Sequence, residues 1–248
     1  MKRYFLLIGV FIHLSTFLVD AQSVDSILNR YNAKVSNGDI ENWQKIKTAI
    51  IISEGGYSQS GYDNTPDFNP KISRISKHYW EWPDKSLLEL YEDSVVVSRY
   101  YTIRGKHIFF LGNMPPVDPS PPDAENYGFG FDPMFIEFIR KKSKTITWRG
   151  IKNFDTGDCH AIEFKTKSKT WIVYFNVDTF LVDYFGGDSP DESLMLTRVE
   201  DYQPVDNFLI AMKHTSMRNG NIFTWQLYRE IKLNASIDPK IFEYNQHR

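Results

Sequence analysis

Two adjacent residues, Cys159 and His160, carry the side chains of a thiol–base pair for nucleophilic catalysis. The residues around them alternate as in a β-strand, and adjacent strand residues point to opposite faces of a sheet. The two side chains therefore cannot reach each other. Cys159 alternates with Ala161, which fits a buried and unreactive cysteine.

Acidic residues cluster around a Gly-Gly turn near residue 187, where paired carboxylates would serve acid–base chemistry or bind calcium. They are Asp183, Asp188 and the pair Asp191-Glu192. Acidic residues in such turns usually act as solvated turn formers. We therefore keep calcium only as the minor alternative.

The other catalytic patterns are missing from the sequence. The histidines at 78, 107, 160, 214 and 247 are scattered, and no His-Glu-x-x-His zinc helix occurs. There is no Gly-x-Ser-x-Gly elbow, and the glycine pairs lack the lysine of a phosphate-binding loop. We expect no catalytic residues, no metal and no cofactor, and hence a protein that is not an enzyme.

Aromatic residues are abundant: 18 Phe, 14 Tyr and 6 Trp make 15% of the chain. In 170–175, Trp171, Val173 and Phe175 share one strand face, while Ile172 and Tyr174 share the other. A sheet packed on one side needs only one apolar face. Two apolar faces indicate a curved sheet with an inner cavity or with helices packed inside the curve, and both a hollow and a filled barrel stay open.

If the barrel is hollow, large aromatic side chains are the best candidates for lining it. We predict that a ligand-binding cavity is lined by Phe135, Phe138, Trp148, Trp171, Phe175 and Trp225.

Helical periodicity appears near the start of the chain and again at its centre. The apolar positions of 23–35 have helical spacing, with Ser23 as N-cap, and a second short helix is predicted at 40–46. A central helix begins at Asp132-Pro133 and ends in Arg140-Lys141-Lys142. It is apolar nearly all round, so it should be buried, either as a core helix or as a lid over a cavity.

The rest of the chain has the period of β-strands separated by turns at regular intervals, which predicts an antiparallel meander. In the last strand we expect Phe223, Trp225, Leu227, Ile231 and Leu233 on one face, with Arg229 as its one polar break. The predicted strands are 49–57, 72–82, 87–91, 94–103, 107–111, 145–151, 159–165, 170–177, 180–185, 195–202, 209–216 and 222–233.

The segment Pro115–Pro122 contains five prolines in eight residues. Proline neither donates to a strand ladder nor continues a helix. Since strands of the same character resume afterwards, we interpret this segment as a loop within one domain, residues 22–248.

The first 21 residues have the pattern of a cleavable signal peptide, with Lys2-Arg3, an apolar run and cleavage after Ala21. An uncleaved membrane anchor is the weaker alternative, because the run is shorter than the roughly 20 apolar residues that a spanning helix needs. The single cysteine excludes an intramolecular disulfide, and none follows the apolar run to carry a lipid. These features favour the periplasm of a Gram-negative cell.

The net charge of the chain bears on which classes of partner the protein binds. The net charge is −2, which gives no support to nucleic-acid binding or to electrostatic adhesion to anionic lipid. No later apolar run approaches spanning length, so we expect no stable membrane insertion after cleavage.

Several short segments of the chain resemble the LolA/LolB-like lipoprotein-carrier superfamily of outer-membrane lipoprotein-sorting proteins, in its divergent periplasmic members. The segments are the helix at 25–31 leading through 43–48 into the first strand, the hairpin Trp82-Pro83-Asp84-Lys85, the hairpin 174–181, and the segments 201–208 and 237–242. The proline-rich segment and the loop at 58–70 depart from the family's pattern.

This resemblance implies a mainly β (α+β) fold: a strongly curved antiparallel half-barrel closed by N-terminal and central helices. It implies a non-catalytic binding or carrier protein whose apolar interior accepts acyl chains, with a lipid or an acylated lipoprotein as partner. The alternative is a structural module of the cell envelope with a filled core, which binds another envelope protein through a sheet edge or the proline-rich loop.

Overall fold

The computed structural model describes residues 23–38, 40–57, 73–103, 106–112, 132–167, 170–187 and 195–243. The predicted signal peptide, the loop at 58–70 and the proline-rich segment lie outside these ranges, so the domain boundary at residue 22 stays a prediction. Within these ranges no helix is long and apolar enough to cross a membrane.

Twelve antiparallel strands form one curved sheet that does not close on itself, and this confirms the predicted half-barrel. The order across the sheet is β5-β4-β3-β2-β1-β12-β11-β10-β9-β8-β7-β6. The strands are β1 (Thr48–Tyr57), β2 (Ser73–Glu81), β3 (Lys85–Glu92), β4 (Val95–Ile103), β5 (Lys106–Leu111), β6 (Thr145–Phe154), β7 (Gly157–Lys165), β8 (Thr170–Asn176), β9 (Val182–Gly187), β10 (Met195–Val205), β11 (Phe208–Arg218) and β12 (Asn221–Leu233).

The sheet consists of two meanders joined at one seam, where β1 pairs with β12. β5 and β6 lie at opposite edges of the sheet and are separated in the sequence by one long segment. This segment contains the central helix.

The N-terminal helix α1 (Val24–Val35) begins where the sequence predicts. The Ser23 hydroxyl accepts a hydrogen bond from the backbone N–H of Ser26 at 3.1 Å, as an N-cap does. The apolar positions fall on one side of the helix because they are spaced at three and four residues. Each of them is at most 2% exposed: Ile27, Leu28, Tyr31 and Val35.

A 3-10 helix (Ile40–Lys45) follows, and the Trp43 ring packs on Phe208 of β11 with centroids 4.0 Å apart. The central helix α2 (Asp132–Lys142) buries Ile136 and Ile139. Its Glu137 accepts a hydrogen bond from the Asn32 amide of α1 at 3.4 Å. The two helices are therefore packed in the same core and linked to each other.

We call the face that packs against α1 and α2 the inner face of the sheet. The helices cover this face mainly over β6–β12, which we call the helix half. Its core contains α1, α2 and inner side chains of these strands, among them Ile162, Phe164, Val173, Phe175, Val182, Val199, Ile210 and Tyr228.

The strands β2–β5 form the other half, which we call the pocket half. Its apolar cluster lies on the outer face, where Leu87 and Tyr101 pack against Phe242. Phe242 belongs to a 3-10 helix (Pro239–Phe242) whose N-cap is Asp238. The C-terminal segment thus packs against the pocket half from outside.

The last strand corrects one prediction. Ile52 pairs with Glu230 and Ser53 pairs with Tyr228, so Arg229 is an extra residue in a β-bulge. The bulge reverses the alternation along β12: Ile231 shares the inner face with Tyr228, whereas Trp225 lies on the outer face. The single apolar face expected from 223 to 233 is therefore wrong.

Candidate functional site: a pocket on the inner face

The thiol and the imidazole of Cys159 and His160 lie on opposite faces of β7, as predicted. Cys159 is fully buried, and its Sγ is 3.6 Å from Oδ2 of Asp183. Burial, and secondarily the negative charge of Asp183, raises the pKa of the thiol to about 12. A thiol with this pKa stays protonated at neutral pH and is a poor nucleophile.

His160 lies on the inner face and stacks on Phe180 with ring centroids 6.2 Å apart. Burial and the nearby Arg30 lower its pKa, so the imidazole is neutral. Neither ring nitrogen has a hydrogen-bond partner among the described residues.

The acidic residues do not form a metal site within the described part of the chain. Asp183 accepts a hydrogen bond from the Asn176 amide at 2.9 Å, and Asp188, Asp191 and Glu192 lie outside the described residues. No group of three or more His, Cys, Asp or Glu among the described residues is placed to hold a metal ion.

Two clusters of tyrosine, carboxylate and arginine lie on the outer face. Glu89 accepts hydrogen bonds from Tyr91 at 2.7 Å and from Arg99 at 2.8 Å. Asp155 accepts from Tyr184 and from Arg198. In both clusters the pKa of the tyrosine is raised, first by burial and then by the carboxylate. The Tyr91 phenol donates within β3, and the Tyr184 phenol of β9 donates to the turn between β6 and β7.

A cavity of about 190 Å³ opens on the inner face of the pocket half. Ile51 packs in the core that contains α1 and α2, so it lies on the inner face. It pairs with His78, and residues paired across antiparallel strands point to the same side of the sheet. The row continues from His78 through Leu88 and Tyr100 to Phe109. The described residues lining the cavity are His78, Ser86, Leu88, Leu90, Ser98, Tyr100, Thr102 and Phe109.

The cavity exists because the two halves of the inner face are filled differently. The helix half receives the side chains of α1 and α2 between its strands. In the pocket half the apolar row is flanked by the small side chains of Ser86, Ser98 and Thr102. The described parts of the chain place no helix over this row.

His78 is the only ionisable nitrogen base among the described lining residues. Its Nε2 accepts a hydrogen bond from the indole Nε1–H of Trp80, and the two rings are arranged edge to face with centroids 4.9 Å apart. Burial lowers the pKa of His78 to about 3 from 6.5. The imidazole is therefore neutral at every physiological pH.

The aromatic residues that we predicted as a lining are distributed over the sheet. Phe175 is fully buried in the filled core, in edge-to-face contact with Tyr31 at 5.3 Å. Trp171 packs partly buried against the same core, and Trp148 is 42% exposed on the edge strand β6. Trp225 is partly buried on the outer face. The side chains of Phe135 and Phe138 lie outside the described part of α2.

The residues that line the cavity are not among those predicted from the sequence, although the sequence contains a pattern that indicates them. Leu87-Leu88, Tyr100-Tyr101 and Phe109-Phe110 place large apolar residues on both faces of three successive strands. This is the same two-faced pattern that we used for 170–175. Applied to β3–β5, it would have indicated a second packed or hollow surface.

No protein-family model and no curated protein matches the sequence. Solved structures do match the fold. A DUF1329 family protein from Desulfovibrio piger has a TM-score of 0.62 and 12% identity, covering 89% of this chain and 97% of that one.

Two further structures carry the predicted family name. A putative outer membrane lipoprotein-sorting protein domain from Vibrio parahaemolyticus has a TM-score of 0.57 and 11% identity, covering 79% of this chain and 89% of that one. A LolA superfamily protein from Nitrosomonas europaea has the same TM-score and identity, with coverages of 90% and 99%. The chain therefore has the LolA-like fold, and the resemblance seen in the sequence is confirmed at the level of fold.

Proposed function

We propose that this protein is a periplasmic, non-catalytic binding or carrier protein for a lipid or an acylated ligand such as a lipoprotein. The observation that carries the proposal is the apolar pocket on the inner face of a LolA-like half-barrel. The Vibrio parahaemolyticus domain of the same fold is described as a lipoprotein-sorting protein. Export rests on the signal-peptide pattern of residues 1–21.

The size of the cavity indicates how much ligand it holds. Its 190 Å³ is below the roughly 300–1,000 Å³ of pockets that enclose a whole drug-sized ligand. A methylene takes about the space of a water molecule, roughly 30 Å³, so about six methylenes fit. At about 0.8 kcal/mol each they contribute on the order of 5 kcal/mol before the cost of association. The pocket thus suits a segment of one acyl chain.

Of the six aromatic residues predicted from the sequence, Trp171 and Phe175 pack in the core that contains α2, and they define a second candidate wall. Ligand would reach Trp171 and Phe175 only after α2 moves away from the core that they share. We therefore place the binding site in the pocket half and keep the aromatic set as the alternative location.

A binding titration with matched variants tests the proposal. Purified, delipidated protein is titrated with the glycerol monoester of dodecanoic acid. We expect saturable one-to-one uptake that Leu90→Glu abolishes, because this substitution puts a charge into the pocket. Ile75→Glu is the control, since Ile75 is 54% exposed on the outer face of β2.

The outcomes separate the alternatives. Loss of uptake in Trp171→Glu but not in Leu90→Glu would move the site to the wall beside α2. Absence of uptake by the unaltered protein would reject the carrier function. The filled core of the helix half would then favour the structural module of the envelope that binds a protein partner.

A further inference from the structure

We propose that His78 is a fixed hydrogen-bond donor that makes the pocket select uncharged acyl ligands, such as esters and alcohols, over fatty-acid carboxylates. This inference rests on the proposed lipid-binding function and specifies the ligand class of the same pocket.

The donor is fixed by the chemistry of its partner. An indole N–H donates hydrogen bonds and cannot accept them. Since Trp80 donates to Nε2 of His78, this nitrogen must be the unprotonated one. A neutral imidazole carries one proton, so the proton is on Nδ1. In the described part of the chain, Nδ1 donates to no acceptor, and His78 lines the cavity.

No charged side chain is among the described lining residues, and Arg74, which lies on the inner face beyond Ser76, is paired with Glu92. The described lining residues contain apolar groups, the hydroxyls of Ser86, Ser98, Tyr100 and Thr102, and the neutral imidazole, with no lysine or arginine. The Lys77 ammonium lies over the Tyr79 ring, 4.9 Å from its centroid, and Arg99 pairs with Glu89, both on the outer face.

The Nδ1–H donor of His78 and the absence of a cation from the described lining determine which polar group a ligand can carry. A carboxylate entering the cavity would lose its hydration without meeting a cation, which is costly. An ester or hydroxyl oxygen loses less hydration and gains the Nδ1–H hydrogen bond. The pocket therefore discriminates by charge at the head of the ligand and by apolar contact along its chain.

The test compares dodecanoate with its glycerol monoester, which have the same acyl chain. Affinities are measured by calorimetry at about pH 7 on the full mature chain. We expect the monoester to bind at least about tenfold more tightly than dodecanoate. In His78→Phe, which keeps an aromatic ring but removes the donor, monoester binding should fall about tenfold and dodecanoate binding should not change.

A second variant and a spectroscopic readout keep the test decisive if His78→Phe does not fold. Trp80→Phe removes the indole donor, and the nitrogen chemical shifts of His78 should then show a mixture of tautomers. In the unaltered protein these shifts should report protonated Nδ1, and adding monoester should shift Nδ1 while dodecanoate does not.

Each outcome bears on one claim. Equal binding of the two ligands, or a preference for the monoester that persists in His78→Phe, would overturn the role of His78. Neither result would contradict the carrier function. Failure of both ligands to bind would reject the carrier function itself.

Discussion

At the scale of single residues, the backbone alternation of strands decides which side chains meet. It separates Cys159 from His160, although they are neighbours in sequence. It brings together His78, Leu88 and Tyr100, which lie on three different strands. The groups that come together are apolar, hydroxyl-bearing or neutral, and this set is suited to binding.

The first prediction concerns two aromatic residues of the predicted lining. Phe175→Ala should lower the free energy of unfolding by about 3–5 kcal/mol, because it leaves a cavity in a fully packed core. Trp148→Ala should lower it by less than about 1 kcal/mol, since Trp148 is 42% exposed on an edge strand. Urea denaturation measures both, and similar losses would contradict the filled core.

The second prediction is a pH dependence of stability from His78. Its pKa is about 3 in the folded state and 6.5 in the unfolded state, so between these values the unfolded state binds more protons. The free energy of unfolding should therefore fall as the pH is lowered below about 6.5, by at most about 1.4 kcal/mol per pH unit. Above about pH 6.5 the contribution is fully retained.

Comparison of His78→Phe with the unaltered protein isolates this contribution. His160 adds a dependence of the same sign in both proteins, because its pKa is lowered too. Denaturation at several pH values between about 4 and 7 should show a shallower slope in the variant. The same slope in both proteins would mean that His78 titrates normally.

At the scale of the elements, the bulge in β12 holds the register of the seam between the two meanders. Side chains alternate with period two, so a shift of one residue moves a whole strand segment to the wrong face. Arg229 is the extra residue that keeps both Tyr228 and Ile231 on the inner face.

The third prediction follows from this register. Deleting Arg229 should lower the free energy of unfolding by no more than about 2 kcal/mol, because Tyr228 and Ile231 then stand two positions apart and both stay on the inner face of a regular ladder. Arg229→Ala should cost less than about 1 kcal/mol, since it removes only an exposed ion pair with Glu54. Circular dichroism and denaturation compare the two variants, and unfolding of the deletion variant would contradict this register.

The elements themselves could largely be predicted from the sequence. All twelve strands and both α-helices lie where periodicity, turns and capping residues place them, to within a few residues at their ends. These features are local: a strand such as β8 shows its alternation within seven residues. The short segment at 40–46 was predicted as a helix and forms a 3-10 helix.

The candidate site could not be predicted in the same way. The pocket depends on the successive pairing of β2, β3, β4 and β5, and on the position of α1 and α2 over the other half of the sheet. Neither is a local property of the chain. The bulge at Arg229 was also missed, because its only trace in the sequence is one charged residue in an apolar pattern.

At the scale of the whole molecule, the half-barrel combines two interiors in one sheet. The helix half is filled by α1 and α2 and supplies most of the buried apolar core. The pocket half is packed from outside by the C-terminal segment, and its inner face carries the cavity. The filled half stabilises the fold, so the other half can keep an unfilled apolar surface.

The most direct test of this account is native mass spectrometry of the protein purified from a periplasmic extract without detergent, together with solvent extraction of the same sample. We predict a one-to-one adduct with the mass of an acyl lipid, absent in Leu90→Glu and present in Ile75→Glu. A bare protein mass, with no uptake of added monoester or phospholipid, would contradict the account and direct the search to protein partners.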